Sequence, residues 1–178
     1  TYGITSEDLA NVAVKNHANG MLNPYAHIHQ KIALEGILLS REAKLNNPVI
    51  ADPLRLYDMC PVSDGAAAFI LCPLEKAKEL CDTPVRIAGV GQGTDLHAVH
   101  ERPEPLKLKS VREAADRAFA MAGVERKDID FLELHDAFTI LEFAESENAG
   151  FFKPGKCAQA LREGVTQIGG KLPINPSG

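Results

Sequence analysis

Apolar residues recur with helical spacing near the start of the chain. Leu9, Val12, Ala13 and Asn16 share one face of the segment 6–19. Thr5 or Ser6 stands where a cap belongs, Glu7 and Asp8 at the positive end, and Gly20 where the helix stops. The clearest helix is 110–122. Val111, Ala114, Ala115, Ala118, Phe119 and Ala122 form its packing face, Ser110 caps it, Glu113 takes the capping-box position and Gly123 ends it. Shorter helical patterns cover 74–80, 139–148 and 154–163, the last two stopped by Gly150 and Gly164.

Other runs read as strands. Residues 66–72, AAAFILC, follow a tight Asp64-Gly65 turn and fit a buried strand. Residues 85–90 alternate and leave through Gly89, Gly91 and Gly93; 131–134 is a short apolar strand, and 171–175 can begin a final one. The segment 32–39 is short and apolar, Pro53 and Pro61 forbid a long helix across 49–61, and 94–109 is a charged loop rich in His and Pro. Helices and strands therefore interleave, which predicts an α/β fold, and 178 residues suffice for one domain or one and a half.

Charge and composition narrow the partners. A net charge of -5 with 24% charged residues is an ordinary solvated surface and argues against nucleic acid. No apolar run approaches the roughly 20 residues that a membrane helix needs. The four cysteines form no C-x-x-C pair, so free buried thiols in a reducing, cytoplasmic setting are expected. Thr1-Tyr2-Gly3 has neither an initiator Met nor a signal-peptide layout and reads as a start partway through a chain.

The strongest chemical candidate is His135-Asp136, at the end of the 131–134 strand and just before a helix. An imidazole there can donate to a developing oxyanion, hold a water or shuttle a proton. From spacing alone, a backbone-bonded His and an Asp136 that merely caps the next helix explain the pair as well. His27-x-His29 would share a face on a strand, but no third ligand stands at metal spacing, and His97 and His100 lie in a charged loop; no metal is predicted. The glycines at 89, 91 and 93 lack the G-x-G-x-x-G spacing of a phosphate turn. Among the thiols, Cys157 is nearest a helix start, beside Lys153 and Lys156, yet a buried and inert state is expected for all four.

Four blocks, taken together and in order, resemble the thiolase superfamily, in the branch of archaeal and bacterial acetyl-CoA acetyltransferases and sterol-carrier-protein-type thiolases. They are DPLRLYDMCPVSDGAAA over 52–68, ELHDAF over 133–138, ENAGF over 147–151 and LPINPSG over 172–178. The resemblance covers essentially the whole chain. It implies a partial thiolase-like fold of layered helices and mixed sheet with a loop-domain segment. The implied division is 1–65 as loop-domain segment and return to the N-terminal core, 66–84 as the last strand and helix of that core, and 85–178 as the first part of the C-terminal core.

The resemblance also implies an acyl-CoA acyltransferase of the lipid-metabolism type, which condenses or cleaves thioesters through a cysteine acyl-enzyme. Coenzyme A thioester is then substrate and no cofactor is needed. His135 becomes the oxyanion- or water-positioning group and Cys60 a contact to the pantetheine arm. The family's nucleophile block, Gly-His-Pro turn and second-cysteine block are expected before Thr1 and after Gly178, so these residues are expected to be an internal piece, inactive alone. A homo-oligomer is implied. The alternative is a scaffold or aldolase-type subunit working with a zinc-ribbon/OB-fold partner.

Overall fold

The computed structural model describes residues 3–178; Thr1 and Tyr2, which open the expected 1–65 segment, lie outside the described residues. The chain is organised around helix α1 (Ser6–Gly20). Thr5 caps it as expected: its hydroxyl accepts the Asp8 N–H at 3.2 Å, and the Asp8 carboxylate accepts the Thr5 N–H at 2.8 Å. Asp8 is buried because Arg162 reaches across to it, Nε to Oδ1 at 2.7 Å and Nη2 to Oδ2 at 2.5 Å. This two-pronged ion pair ties the first turn of α1 to a helix more than 150 residues later.

Val12 turns into the main core with Leu132, Phe143, Cys157, Leu161 and Ile174. Phe143 belongs to α5 (Thr139–Asn148), and Cys157 and Leu161 to α6 (Cys157–Arg162). The opposite edge of α1 presents Ala10 and Ala13 to a second cluster with Ile32 and Ile37. The apolar segment near residue 35 is a π-helical turn, Glu35–Leu39, followed by the short α2 (Ala43–Asn46). Buried Asn47 holds this region together: its Nδ2 donates to the Ile37 carbonyl and its Oδ1 accepts the Tyr57 N–H. The stretch 49–61, where two prolines forbid a long helix, forms a small antiparallel hairpin of β1 (Val49–Ala51) and β2 (Leu54–Arg55), then a 3-10 turn at Leu56–Asp58.

The expected strand 131–134 is reduced, among the described residues, to a single parallel bridge between Leu132 and Ile174. The Leu132 N–H donates to the Pro173 carbonyl at 2.9 Å, and the Asn175 N–H returns to the Leu132 carbonyl at 2.8 Å. The buried strand at 66–72 is corrected. The segment is extended, but Phe69, Ile70 and Leu71 are exposed and its backbone joins no ladder among the described residues. A strand is held by its neighbours' hydrogen bonds, and among the described residues none lies beside this one. After it, α3 (Leu74–Leu80) forms as expected, with Lys78 and Lys76 paired to Glu75 and Glu79.

Residues 85–93 are likewise extended and unpaired, yet their glycines have a purpose that spacing alone did not disclose. A Cβ on Gly89, Gly91 or Gly93 would stand 2.2, 1.9 and 2.2 Å from the carbonyl oxygens of Ala118, Ala114 and Ser110. Two residues of extended chain rise about as far as four of helix. Alternate glycines therefore meet every fourth residue of α4 (Lys109–Ala122) and let backbone lie on backbone. The start of α4 corrects the expected cap: Ser110 lies within the helix, and the Asp95 carboxylate accepts the Lys109 N–H at 3.0 Å instead. Gly123, with φ of 68°, ends the helix in the left-handed conformation. Phe119 packs edge-on against Phe151 under the Arg126 guanidinium, which joins α4 to the end of α5.

Candidate functional site

Two distant segments come together beside α1. The Met59–Phe138 bridge runs antiparallel, the Cys60 N–H donates to the Ala137 carbonyl at 3.0 Å, and the Thr139 hydroxyl donates to Asp58 at 2.8 Å. Residues 58–60 are thereby bound to the turn that follows His135. Between this pairing and the second half of α1 lies an open cavity of about 240 Å³, lined among others by Asn16, His17, Tyr57, Cys60, Asp136 and Thr139. Ser177 and Gly178 close one side, where Gly178 packs on Gly20 of α1.

Cys60 therefore faces the cavity, with a free and exposed thiol. His135 is exposed and its ring is not among the lining groups; its neighbour Asp136 is. Asp136 does not cap α5 as expected. Position 138 precedes that helix with no side-chain cap, and the Asp136 carboxylate instead accepts the Asn16 Nδ2 at 2.7 Å. A hydrogen bond from the Asn16 amide to the carboxylate takes the place of the local cap, because Asn16 faces that way from α1.

Three successive residues of the turn are each held by a remote side chain. The Leu134 N–H donates to Asn175 Oδ1 at 2.7 Å, the His135 N–H to Glu145 Oε2 at 3.1 Å, and Asp136 accepts from Asn16. Behind Asn16 lies a buried ion pair. Lys15 Nζ is 3.1 Å from Glu142 Oε2, and it also donates to Asn16 Oδ1 at 2.6 Å and to the Ile174 carbonyl at 2.5 Å. Burial pushes the Glu142 carboxyl above its ordinary range, and Lys15 offsets only part of that; burial raises Glu145 as well, against the hydrogen bond from His135.

Sequence reasoning did not single out Lys15, His17, Tyr57 or Glu142. A signal existed for Lys15: it lies three residues after Val12, on the packing side of α1, where a charge demands a buried partner. His17 presents its ring edge to Tyr57 and its Nδ1 lies 2.9 Å from the Gln30 carbonyl. Of the His27-x-His29 pair, His27 lines the cavity and contacts the Ser63 hydroxyl, while His29 meets the Asn23 carbonyl.

The thiols divide differently from expectation. Cys72 and Cys81 are exposed like Cys60, because the segments carrying them lie on no core. Cys157 is the buried one. Its N–H is capped by Glu147 at 3.0 Å and the Ser146 hydroxyl lies 3.1 Å from its sulfur. Burial pushes its thiol up to about 12, and the nearby Glu142 and Glu147 carboxylates add to the rise, so the helix-start position does not activate it. The cavity thus offers an exposed thiol, a carboxylate fixed by Asn16, the Tyr57 side chain, and imidazoles at its wall. That set can bind a polar, carbonyl-bearing ligand and present hydrogen-bond donors to it.

Residues 1–75 match the family described as "Thiolase, N-terminal domain", and residues 91–178 match "Thiolase C-terminal domain-like". The chain is 41% identical over 177 residues to an "Acetyl-CoA acetyltransferase" of Methanothermobacter thermautotrophicus, covering 99% of this chain and 44% of that protein. It is 32% identical over 181 residues to a "Steroid side-chain-cleaving aldolase" of Thermomonospora curvata, covering 99% of this chain and 45% of the other. Among solved structures, the "Ltp2-ChsH2(DUF35) aldolase" superposes with a TM-score of 0.82 at 30% identity, over 99% of this chain and 46% of that one. The chain thus spans less than half the length of these relatives.

Proposed function

We propose that this chain, which belongs to the thiolase superfamily and has a partial thiolase-like α/β fold, is part of an acyl-CoA acyltransferase that condenses or cleaves acyl-CoA thioesters through a cysteine acyl-enzyme. The observation that carries this reading is the joining of the Cys60 segment to the His135–Thr139 turn around one cavity, through the Cys60–Ala137 hydrogen bond and the Met59–Phe138 bridge. In such a reaction a thiolate attacks the thioester carbonyl, the carbonyl π electrons move to oxygen, and collapse expels the coenzyme A thiolate. A fixed donor near that oxygen stabilises the developing charge.

His135 is the donor in this reading, directly or through a water, and Cys60 faces the pantetheine arm. Cys157, buried and with a raised pKa, is not the nucleophile; the nucleophilic cysteine is assigned to sequence beyond these 178 residues. The division at 65 and 84, the homo-oligomeric state, the cytoplasmic location and the absence of any cofactor belong to the same proposal. The test is steady-state thiolysis of acetoacetyl-CoA by the full-length protein. The expected result is turnover in the wild type and a kcat about 10²- to 10³-fold lower in His135→Ala, with little change in KM. A His135→Ala protein that turns over like the wild type removes the assigned role, and a wild type without thiolysis removes the reading.

A second reading, an aldolase-type subunit acting with a zinc-ribbon/OB-fold partner, is favoured by the aldolase names of two of the relatives. It predicts that the full-length protein cleaves a carbon–carbon bond in a coenzyme A thioester only when such a partner is bound, and that it does not transfer an acyl group to coenzyme A.

A further inference from the structure

We propose that Asn16, oriented by the buried Lys15–Glu142 pair, is a positioning residue that fixes Asp136 and with it the His135–Asp136 turn at the cavity wall. This rests on the acyl-transfer reading of that turn. Lys15 has three ammonium protons and no acceptor, and all three are committed: to Asn16 Oδ1, to the Ile174 carbonyl and to Glu142 Oε2. The first of these decides which way the Asn16 amide points. With its oxygen held by Lys15, its Nδ2 must face the carboxylates, donating to Asp136 Oδ2 at 2.7 Å and lying 3.4 Å from Glu142 Oε2.

Glu142 is wholly buried, and its second oxygen, Oε1, has no hydrogen-bond partner among the described residues. A carboxylate placed so is a poor choice for stability alone, since an apolar pair of the same volume serves a core as well or better. What an apolar pair cannot do is orient the Asn16 amide. The order of contact runs from the core outward: Glu142, Lys15, Asn16, Asp136, cavity. Glu145, one helical turn beyond Glu142 on α5, holds the His135 N–H directly, while Glu142 acts on the turn only by way of Lys15 and Asn16 on α1.

The discriminating variant in the full-length protein is the double substitution Lys15→Met with Glu142→Leu. It removes the pair without stranding a buried charge. Asn16→Ala serves as the second variant should the double variant fail to fold. Two readouts are taken on each: thiolysis of acetoacetyl-CoA, and hydrogen exchange at the His135 and Cys60 amides, which are bonded to Glu145 and to the Ala137 carbonyl. The expected result is a kcat lower by roughly 10- to 100-fold with KM unchanged, and exchange at these amides faster by about tenfold while the α6 amides keep their protection. Wild-type kcat and unchanged exchange in a folded variant overturn the proposal. If the wild type shows no thiolysis, the acyl-transfer reading has failed by itself, and exchange still decides: faster at His135 and Cys60 upholds the positioning role, unchanged overturns it.

Discussion

Lys15 on α1 and Glu142 on α5 form an ion pair 3.1 Å long, with 4% and 0% of their side chains exposed. Neither charge has water to fall back on, so the two are energetically one object. Removing one partner strands the other in the core and is expected to cost about 3–5 kcal/mol, whereas replacing both with apolar residues costs far less. Urea denaturation of Lys15→Met, Glu142→Leu and the double variant forms a double-mutant cycle that checks this. Additive costs in the double variant would show the pair to be uncoupled.

Glycines in three different settings, Gly91 against α4, Gly123 at its end and Gly36 in open space, predict a graded response to alanine. Gly91→Ala drives a methyl to within 1.9 Å of the Ala114 carbonyl, and backbone on both sides leaves nowhere to go. The expected loss is about 1–3 kcal/mol or more. Gly123→Ala meets no atom within 4 Å and suffers only its φ of 68°, about 1–2 kcal/mol. Gly36→Ala, with open space and no left-handed φ, is expected to be neutral or stabilising by up to about 1 kcal/mol. Denaturation midpoints of the three variants test the order.

Cysteine reactivity should split three against one. Cys60, Cys72 and Cys81 are exposed, whereas the Cys157 thiol is buried and raised to about 12. The thiolate is the reactive form, so Cys157 is doubly protected. Peptide mapping after brief alkylation of the native 178-residue chain at mild alkaline pH should find the first three labelled and Cys157 untouched. Labelling of Cys157 at the rate of Cys60 would contradict its burial.

The pairing of Asp8 with Arg162 predicts an acid-sensitive contribution. Burial alone would raise the Asp8 carboxyl, but hydrogen bonds from Arg162 and Thr5 outweigh burial and hold it below the usual range. A depressed folded-state pKa means that the stabilisation is complete above the unfolded value of about 3.9 and is lost as pH falls through the lower folded value. Asp8→Asn should therefore lose about 1–2 kcal/mol at pH 7, and the gap to wild type should close in the acid limb. A gap independent of pH would assign the effect to packing rather than charge.

Helices α1 and α4 were legible because their apolar spacing and, for α4, the stop at Gly123 are local properties of the chain; Gly20, read as the stop of α1, is instead its last helical residue. The apolar 131–134 run was legible too. The caps of α4 and α5 were not, since Ser110 and Asp136 satisfy the local rule, whereas the Lys109 N–H finds Asp95, 14 residues away, and the Asp136 carboxylate is taken by Asn16, 120 residues away. The site divides in the same way. Cys60 and the 135–136 pair were marked by motif, but their meeting depends on the Met59–Phe138 bridge, and the Lys15–Glu142 support depends on the packing of two helices. Residues 66–72 carry a strand's composition, but composition cannot supply a neighbouring strand.

That last segment supports the final prediction. Val62, Phe69, Ile70, Val85 and Ile87 are exposed on extended backbone that joins no ladder among the described residues. Such stretches are sticky and present free N–H and C=O groups. In the 178-residue chain alone, amides 66–72 and 85–88 should exchange near the unprotected rate, and the polypeptide should associate at raised concentration. In a full-length protein of this superfamily the same amides should be protected as ladder partners cover them, while α1, α5 and α6 are protected in both. Hydrogen exchange followed by mass spectrometry on the two polypeptides makes the comparison. Equal exposure of 66–72 in both would mean that these apolar residues are covered by something other than the rest of the fold, or by nothing.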